Sequence, residues 1–152
     1  MTKLSAVRGV SPEIITSATL TVDTSGEGFT DITAEVKTFL NQSKAADGVL
    51  ILFIRHTSAS LTVQENADPD VQADLATALR RLAPADGGWT HDVEGLDDMP
   101  GHIKTMLTDV SLQIPVHDGQ PALGTWQAVF LIEHRARPHR REVILQFIGA
   151  ER

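Results

Sequence analysis

The sequence predicts an α+β fold, and three observations carry that prediction. Segments with a period of two and many β-branched residues occur early in the chain and again, as a group of three, at its end. Segments of helical period fall between these groups and do not alternate regularly with strands. That order favours neighbouring strands with flanking helices over a doubly wound parallel sheet. At 152 residues, 41% of them hydrophobic, the chain suits a single domain spanning residues 1–152.

Taken in order, Ile14 to Asp23 alternates and reads as a half-buried strand. Gly26 and Gly28 mark a turn, and Asp31 or Thr33 caps a helix running to about Ser43, with Val36, Phe39 and Leu40 on one face. Val49 to Ile54 is a continuous apolar run of strand length, which predicts a strand buried on both faces. Ser60 to Gln64 reads as another strand. Asp68-Pro69 starts a helix: the carboxylate accepts from free amides, and proline at the first helical position loses no bond. Val71, Leu75, Leu79 and Leu82 continue it until Pro84. Pro84 to Gly95, with three glycines, is the expected flexible segment. A further helix starts near Asp97, Asp98 and Pro100, and Ile103, Met106 and Leu107 are its expected inner face. Strands around Leu112 to Val116, Ala128 to Ile132 and Glu142 to Ile148 complete the order β-α-β-β-α-α-β-β-β.

Composition excludes several classes. The formal charge is −7, with 20 acidic against 13 basic residues, so a nucleic-acid partner is not expected. The one basic run, Arg135 to Arg141, reads as a solvated hairpin turn or an anion-binding rim. With no cysteine, thiolate chemistry and cysteine zinc sites are excluded. No apolar run reaches the length of a signal core or a membrane span, so no membrane partner is expected and a cytoplasmic location is the simplest expectation. P-loop and dinucleotide fingerprints are absent.

The ionisable residues gather at the ends of predicted elements. Arg55-His56-Thr57 follows a buried strand, where a rigid scaffold delivers side chains to a site. Imidazole titrates near neutrality, so His56 suits acid, base or ligand roles. Asp68 and Asp70 are explained by capping and the helix dipole, whereas Glu65 and Asn66 are not, which makes the latter pair site candidates. His91 to His102 holds two histidines and four carboxylates. One of Asp97 and Asp98 suffices for a cap, and His102 lies where the helix field favours the neutral imidazole that binds metals. Glu133-His134-Arg135 ends another apolar strand, and a convergence of His56 with His134 is expected if the two strand ends are neighbours. Trp126 is either core, one wall of a pocket or a subunit contact. His117 and His139 fall in predicted exposed turns.

The stretch from His56 to Val71, HTSASLTVQENADPDV, resembles the HTTAGLTINENADPDV block of the YjbQ family. Asp97 to Lys104, DDMPGHIK, is similar to that family's DDMPAHIK. The run Ser111 to Pro115, Gly119, Leu123 to Gln127 and Glu133-His134-Arg135 matches its remaining signature. The resemblance implies a two-sheet β-sandwich with flanking helices and a homotrimer. For some members it also implies thiamine-phosphate synthesis, in which a pyrimidine methyl pyrophosphate joins a thiazole phosphate and pyrophosphate leaves.

Three functional readings follow. In the first, a phosphate-handling enzyme acts on a small phosphorylated metabolite, with His56, Asp98, His102 and His134 as its catalytic set. Asp97 and Asp98 hold Mg²⁺ and Arg55 and Arg135 hold phosphate. Thr57, Glu65, Asn66, Glu133 and Trp126 complete the substrate site. In the second, a metal-dependent hydrolase uses His91, His102 and His134 as ligands, with zinc as the natural ion. In the third, a trimer binds the phosphorylated metabolite without turnover.

Overall fold

The computed structural model describes residues 1–152. Its elements in chain order are β1 (Ile14–Thr24), β2 (Gly28–Asp31), α1 (Thr33–Gln42), β3 (Ala45–Ile54), β4 (Ala59–Glu65), α2 (Pro69–Leu82), α3 (Asp98–Leu107), β5 (Ser111–His117), β6 (Gln120–Pro121), β7 (Gln127–Glu133) and β8 (His139–Glu151). Two short strands join the predicted order: Gly28–Asp31, read from sequence as a turn, and Gln120–Pro121. Both are too short for a period of two to register.

The strands form two antiparallel sheets, one in the order β1-β8-β3-β5-β6 and one in the order β2-β7-β4. The α+β prediction therefore holds. Alternation decides what each sheet turns inward. Leu50, Leu52 and Ile54 of β3, with Val143, Leu145 and Phe147 of β8, meet Leu61 of β4 and Val129 and Leu131 of β7 in one buried cluster. Val36, Phe39 and Leu40 of α1 join it, on the face the spacing predicted. Where β3 and β8 cross at a bulge, Gly48 and Gly149 approach so closely that a Cβ on either would clash with the other's backbone.

Three local expectations are corrected. β3 is buried on one face only: Leu50, Leu52 and Ile54 are buried, but Phe53 is 47% exposed on the other side of the sheet. An unbroken apolar run cannot by itself distinguish a doubly buried strand from one whose second face lies open. The inner face of α3 is formed by Asp98, Gly101 and Lys104, while Met106 and Leu107 are exposed. Polar side chains with partners beneath them displaced the apolar stripe. On α2, Asp68 caps as predicted, accepting from the Asp70 amide at 2.9 Å, but Leu82 at the far end is exposed. The predicted flexible segment between α2 and α3 has no helix or strand, and within it the Trp89 indole donates to the Pro84 carbonyl at 2.8 Å. No helix is long and apolar enough to cross a membrane.

Candidate functional site

The contiguous triplet Glu133-His134-Arg135 organises the polar part of the molecule by sending three side chains in three directions. Val129 and Leu131 of β7 face the sandwich core, so alternation turns Glu133 inward as well. His134 points to the opposite face, under α3. Arg135, one residue further, reaches the head of α3.

At that helix head Asp98 is 3% exposed, and its carboxylate gathers three cationic or imidazole partners. Oδ1 accepts from Arg135 Nη1 at 2.6 Å. Oδ2 lies 2.7 Å from His91 Nε2 and 3.3 Å from His102 Nε2. The two imidazoles meet edge to face, with centroids 5.4 Å apart. His102 lies four residues after Asp98, so helical geometry puts the two on one face. His91 comes from the preceding loop. Burial pushes the Asp98 carboxyl up, but the His91 hydrogen bond, then the charge of Arg135 and the two imidazoles, outweigh it and hold the group below the usual carboxylate range. Asp97 plays a different part. Its Oδ2 accepts from the Ala136 amide at 2.8 Å and lies 3.3 Å from Arg135 Nε. Arg135 is also fixed by the Glu94 carbonyl at 2.7 Å. Asp97 thus ties the Arg135 loop to α3 through one of its two carboxylate oxygens.

Beneath the end of the sandwich, Glu133 and Arg141 form an ion pair across the two sheets, 1% and 4% exposed. Arg141 Nε donates to Glu133 Oε2 at 2.6 Å, and Nη2 donates to Oε1, to the Ser58 carbonyl and to the Ser58 hydroxyl. Glu133 also accepts from Thr24 Oγ1 at 2.9 Å and the Arg135 amide at 3.0 Å. Burial pushes the Glu133 carboxyl up, yet these donors together hold it below its ordinary value. His56 sits beside this pair. Its Nε2 accepts from the Glu142 amide at 2.8 Å, and its Nδ1 is 3.5 Å from Arg141 Nη1. Burial, then the Arg141 charge, lower its pKa and favour neutral imidazole.

His134 is 1% exposed, with Nε2 2.8 Å from Ser60 Oγ. Thr108 Oγ1 lies 2.6 Å from that hydroxyl, extending the chain of polar groups. A Cβ on Gly101 would meet Ser58 Cβ at 3.3 Å and His134 Cβ at 3.7 Å, so a small residue in α3 lets the helix seat over His134. Burial, then Lys104, drive the His134 pKa down to about 4.

These positions revise the predicted site. His56 and His134 have separate partners: His56, in the loop after β3, accepts from the Glu142 amide of β8, whereas His134, just past β7, bonds Ser60 of β4. Among the predicted metal ligands, His91 and His102 come together with Asp98 as the third member, all ligand atoms lying within 4.8 Å, and His134 is held instead by Ser60. Glu65, Asn66 and Trp126 cluster at the other end of β4 and β7, where the Asn66 amide donates to the Trp126 carbonyl at 3.0 Å. The seven residues of β7 put them about 20 Å from Glu133 within one chain. Arg55 and Thr57 are exposed, with Arg55 paired to Glu142 at 3.2 Å. His117 is exposed beside Asp47 and Arg8, whereas His139 is half-buried and bonds the Arg137 carbonyl. The basic run is only partly a solvated turn: Arg137 and Arg140 are exposed, but Arg141 is buried.

Sequence reasoning missed Arg141, Lys104 and Ser60. A signal existed for the first two. Extending the alternation of Val143, Leu145 and Phe147 one step back puts Arg141 on the core face. Counting on from Asp98 in threes reaches Gly101 and Lys104. For Ser60 no such signal stood out.

Comparison with known proteins agrees with this fold and with these blocks. Residues 18–150 match the family described as UPF0047 protein YjbQ-like. A UPF0047 protein of Synechocystis is 48% identical over 131 residues, covering 86% of this chain and 89% of the relative. The UPF0047 protein YjbQ of Escherichia coli O157:H7 is 42% identical over 132 residues, covering 86% and 96%. A crystal structure of an uncharacterised YjbQ/UPF0047 protein from Clostridium acetobutylicum superposes with a TM-score of 0.80 at 37% identity, covering 86% of this chain and 98% of the other. A conserved hypothetical protein from Thermus thermophilus gives 0.75 at 40% identity, covering 84% and 97%. The family match over residues 18–150, relatives at 42–48% identity and the structural likeness agree: this chain belongs to the YjbQ-like UPF0047 family, a family of uncharacterised proteins.

Proposed function

We propose that this chain is a divalent-metal enzyme acting on a phosphorylated small molecule, with the ion held by His91, Asp98 and His102. One observation carries the reading: two imidazole nitrogens and one carboxylate oxygen lie within 4.8 Å of one another. The separations of 2.7 and 3.3 Å from Asp98 Oδ2 lie near the edge of a zinc tetrahedron, about 3.3 Å for bonds of about 2.0–2.1 Å. Two nitrogens and one oxygen suit zinc or a similar transition ion, whereas magnesium takes oxygen ligands and keeps its waters. Three protein ligands leave one position open, and an ion there supplies Lewis acidity and a more acidic bound water. Arg135 engages Oδ1 and thereby orients Oδ2 toward the other two donors. Arg135 and Arg137 line the open cleft beside Asp97 and offer positive charge to a phosphate.

Within this class, the finer proposal is thiamine-phosphate formation with release of pyrophosphate. An ion and guanidinium groups at one helix head suit a leaving pyrophosphate. The hydrolase reading is favoured by the same donor set, with Asp98 in the place first given to His134. On the outer face of the large sheet Ile15 of β1 is 67% exposed, which supports assembly as a homotrimer that covers this edge of the sheet. The proposed setting is the cytoplasm.

Metal analysis of untagged protein tests the reading. About one transition ion per chain is expected, falling to background in His91→Ala and His102→Ala. Failure of folded wild-type protein to retain zinc after loading would refute it. With metal bound, formation of thiamine phosphate from its two precursors supports the condensation. A bound phosphometabolite with no turnover would instead make the trimer a binding protein.

A further inference from the structure

A second site follows from the hydrogen bonds around Arg141, and it does not depend on the metal reading. A guanidinium has five N–H donors and no acceptor. In Arg141, Nε and Nη2 are engaged by Glu133 and Ser58. Nη1 faces only His56 Nδ1, at 3.5 Å. That contact is not a hydrogen bond in the neutral ring. The Glu142 amide already donates to His56 Nε2, so the neutral imidazole carries its proton on Nδ1. Nη1–H and Nδ1–H are therefore two donors side by side, on a residue that is 4% exposed and one that is half-buried, with no acceptor between them. Both are therefore available to the acceptor oxygens of a ligand.

Both residues line one open cleft of about 470 Å³, at the end of β3. Phe53, Ile54 and Val110 form its apolar wall, and Arg55, Thr57 and Ser58 stand beside the two donors. The volume falls in the range of small-molecule sites, which pair an apolar lining with a few placed polar groups.

We propose that this cleft binds a small organic oxyanion, its head group bridging Arg141 Nη1 and His56 Nδ1 and its apolar body lying on Phe53, Ile54 and Val110. A carboxylate and a phosphate monoester share the required chemistry: two or more acceptor oxygens and a negative charge. The position is distinct from the His91–Asp98–His102 cluster, and none of those three residues lines the cleft.

The test is a titration of the protein in its native assembly with phenylacetate, phenyl phosphate and the neutral 2-phenylethanol, in the presence of a chelator. It is followed by imidazole ¹H–¹⁵N and backbone amide NMR. Saturable shifts are expected at His56 Nδ1 and at residues 53–58 with one or both anions, and whichever anion binds more tightly identifies the head group. The wild-type spectrum alone tests the tautomer, which must show the proton on Nδ1. His56→Phe, which removes one donor and keeps the ring volume, is expected to weaken binding about tenfold. Absence of saturable shifts up to about 10 mM, the weak end of specific binding, would overturn the proposal. Equal binding of the alcohol, or a proton on Nε2, would overturn it too. If His56→Phe does not fold, the wild-type titration and tautomer still decide.

Discussion

Asp98 and Glu133 are both buried carboxylates paired with an arginine, 3% and 1% exposed, yet they sit in opposite kinds of site. Around Glu133 the bonded donors are buried: Arg141 is 4% exposed and Thr24 8%, and the one Arg141 nitrogen that faces the neighbouring cleft, Nη1, is not bonded to Glu133. Around Asp98 they are not: the side chains of His91 and His102 are 39% and 35% exposed. A carboxylate whose bonded donor atoms are turned away from water forms a closed structural clamp. One whose partners can turn to solvent, or to an ion, is a hub whose contacts can be exchanged. That difference, more than the identity of the residues, separates scaffold from candidate site.

The largest expected effect tests the closed side. Arg141→Ala leaves Glu133 charged beneath the joint of the two sheets with nothing to neutralise it. Removing one partner of a buried pair costs about 3–5 kcal/mol, a large share of a domain's stability. Urea unfolding should show a midpoint displaced in proportion, with an unchanged slope. A loss under about 1 kcal/mol would mean that water reaches the pair and that the clamp is not closed.

His134 gives the next effect. Its pKa lies at about 4 in the folded chain, against 6.5 for free imidazole. Between those values the unfolded chain binds the extra proton, so stability rises with pH there and is lost as pH falls from 6.5 toward 4. The displacement is worth roughly 3 kcal/mol, since each pH unit corresponds to about 1.4 kcal/mol. The unfolding free energy of wild type, measured from pH 7 to 4, should fall more steeply than that of His134→Gln. Parallel curves would show that the imidazole is protonated in place and that the layer under α3 is open.

Much of the scaffold was legible in the sequence because hydrophobic period and capping chemistry are local. The Asp68-Pro69 start of α2 and the Val36–Phe39–Leu40 face of α1 follow from neighbours along the chain. The site was legible as a set of residues but not as an arrangement. Glu133, His134 and Arg135 are consecutive, and consecutive residues near a strand end separate onto different faces, so the shared motif concealed three destinations. Asp98 and His102 share a helix face by their spacing, but the arrival of His91 depended on where a loop without repeating pattern folds back. Arg141 was hidden for a different reason: a basic run looks solvated unless the alternation of the strand it enters is followed back past Val143.

The smallest effect is on the open side. Asp98→Asn keeps the shape of the side chain and removes its charge. Arg135 retains the Glu94 carbonyl, and the two imidazoles turn to water, so no partner is stranded. The loss in metal-free protein should be about 1–2 kcal/mol, the scale of charge-assisted hydrogen bonds exchanged for water. Zinc changes the comparison. Wild type gains stability by mass action, about 2.7 kcal/mol at a free ion concentration one hundred times Kd, and Asp98→Asn gains far less. Thermal unfolding of both proteins with chelator and with zinc therefore measures what distinguishes hub from clamp. A gap that widens with zinc assigns Asp98 to the ion. A gap as large as that of Arg141→Ala, and indifferent to zinc, would make Asp98 a second structural clamp and leave the exposed imidazoles without an ion to hold.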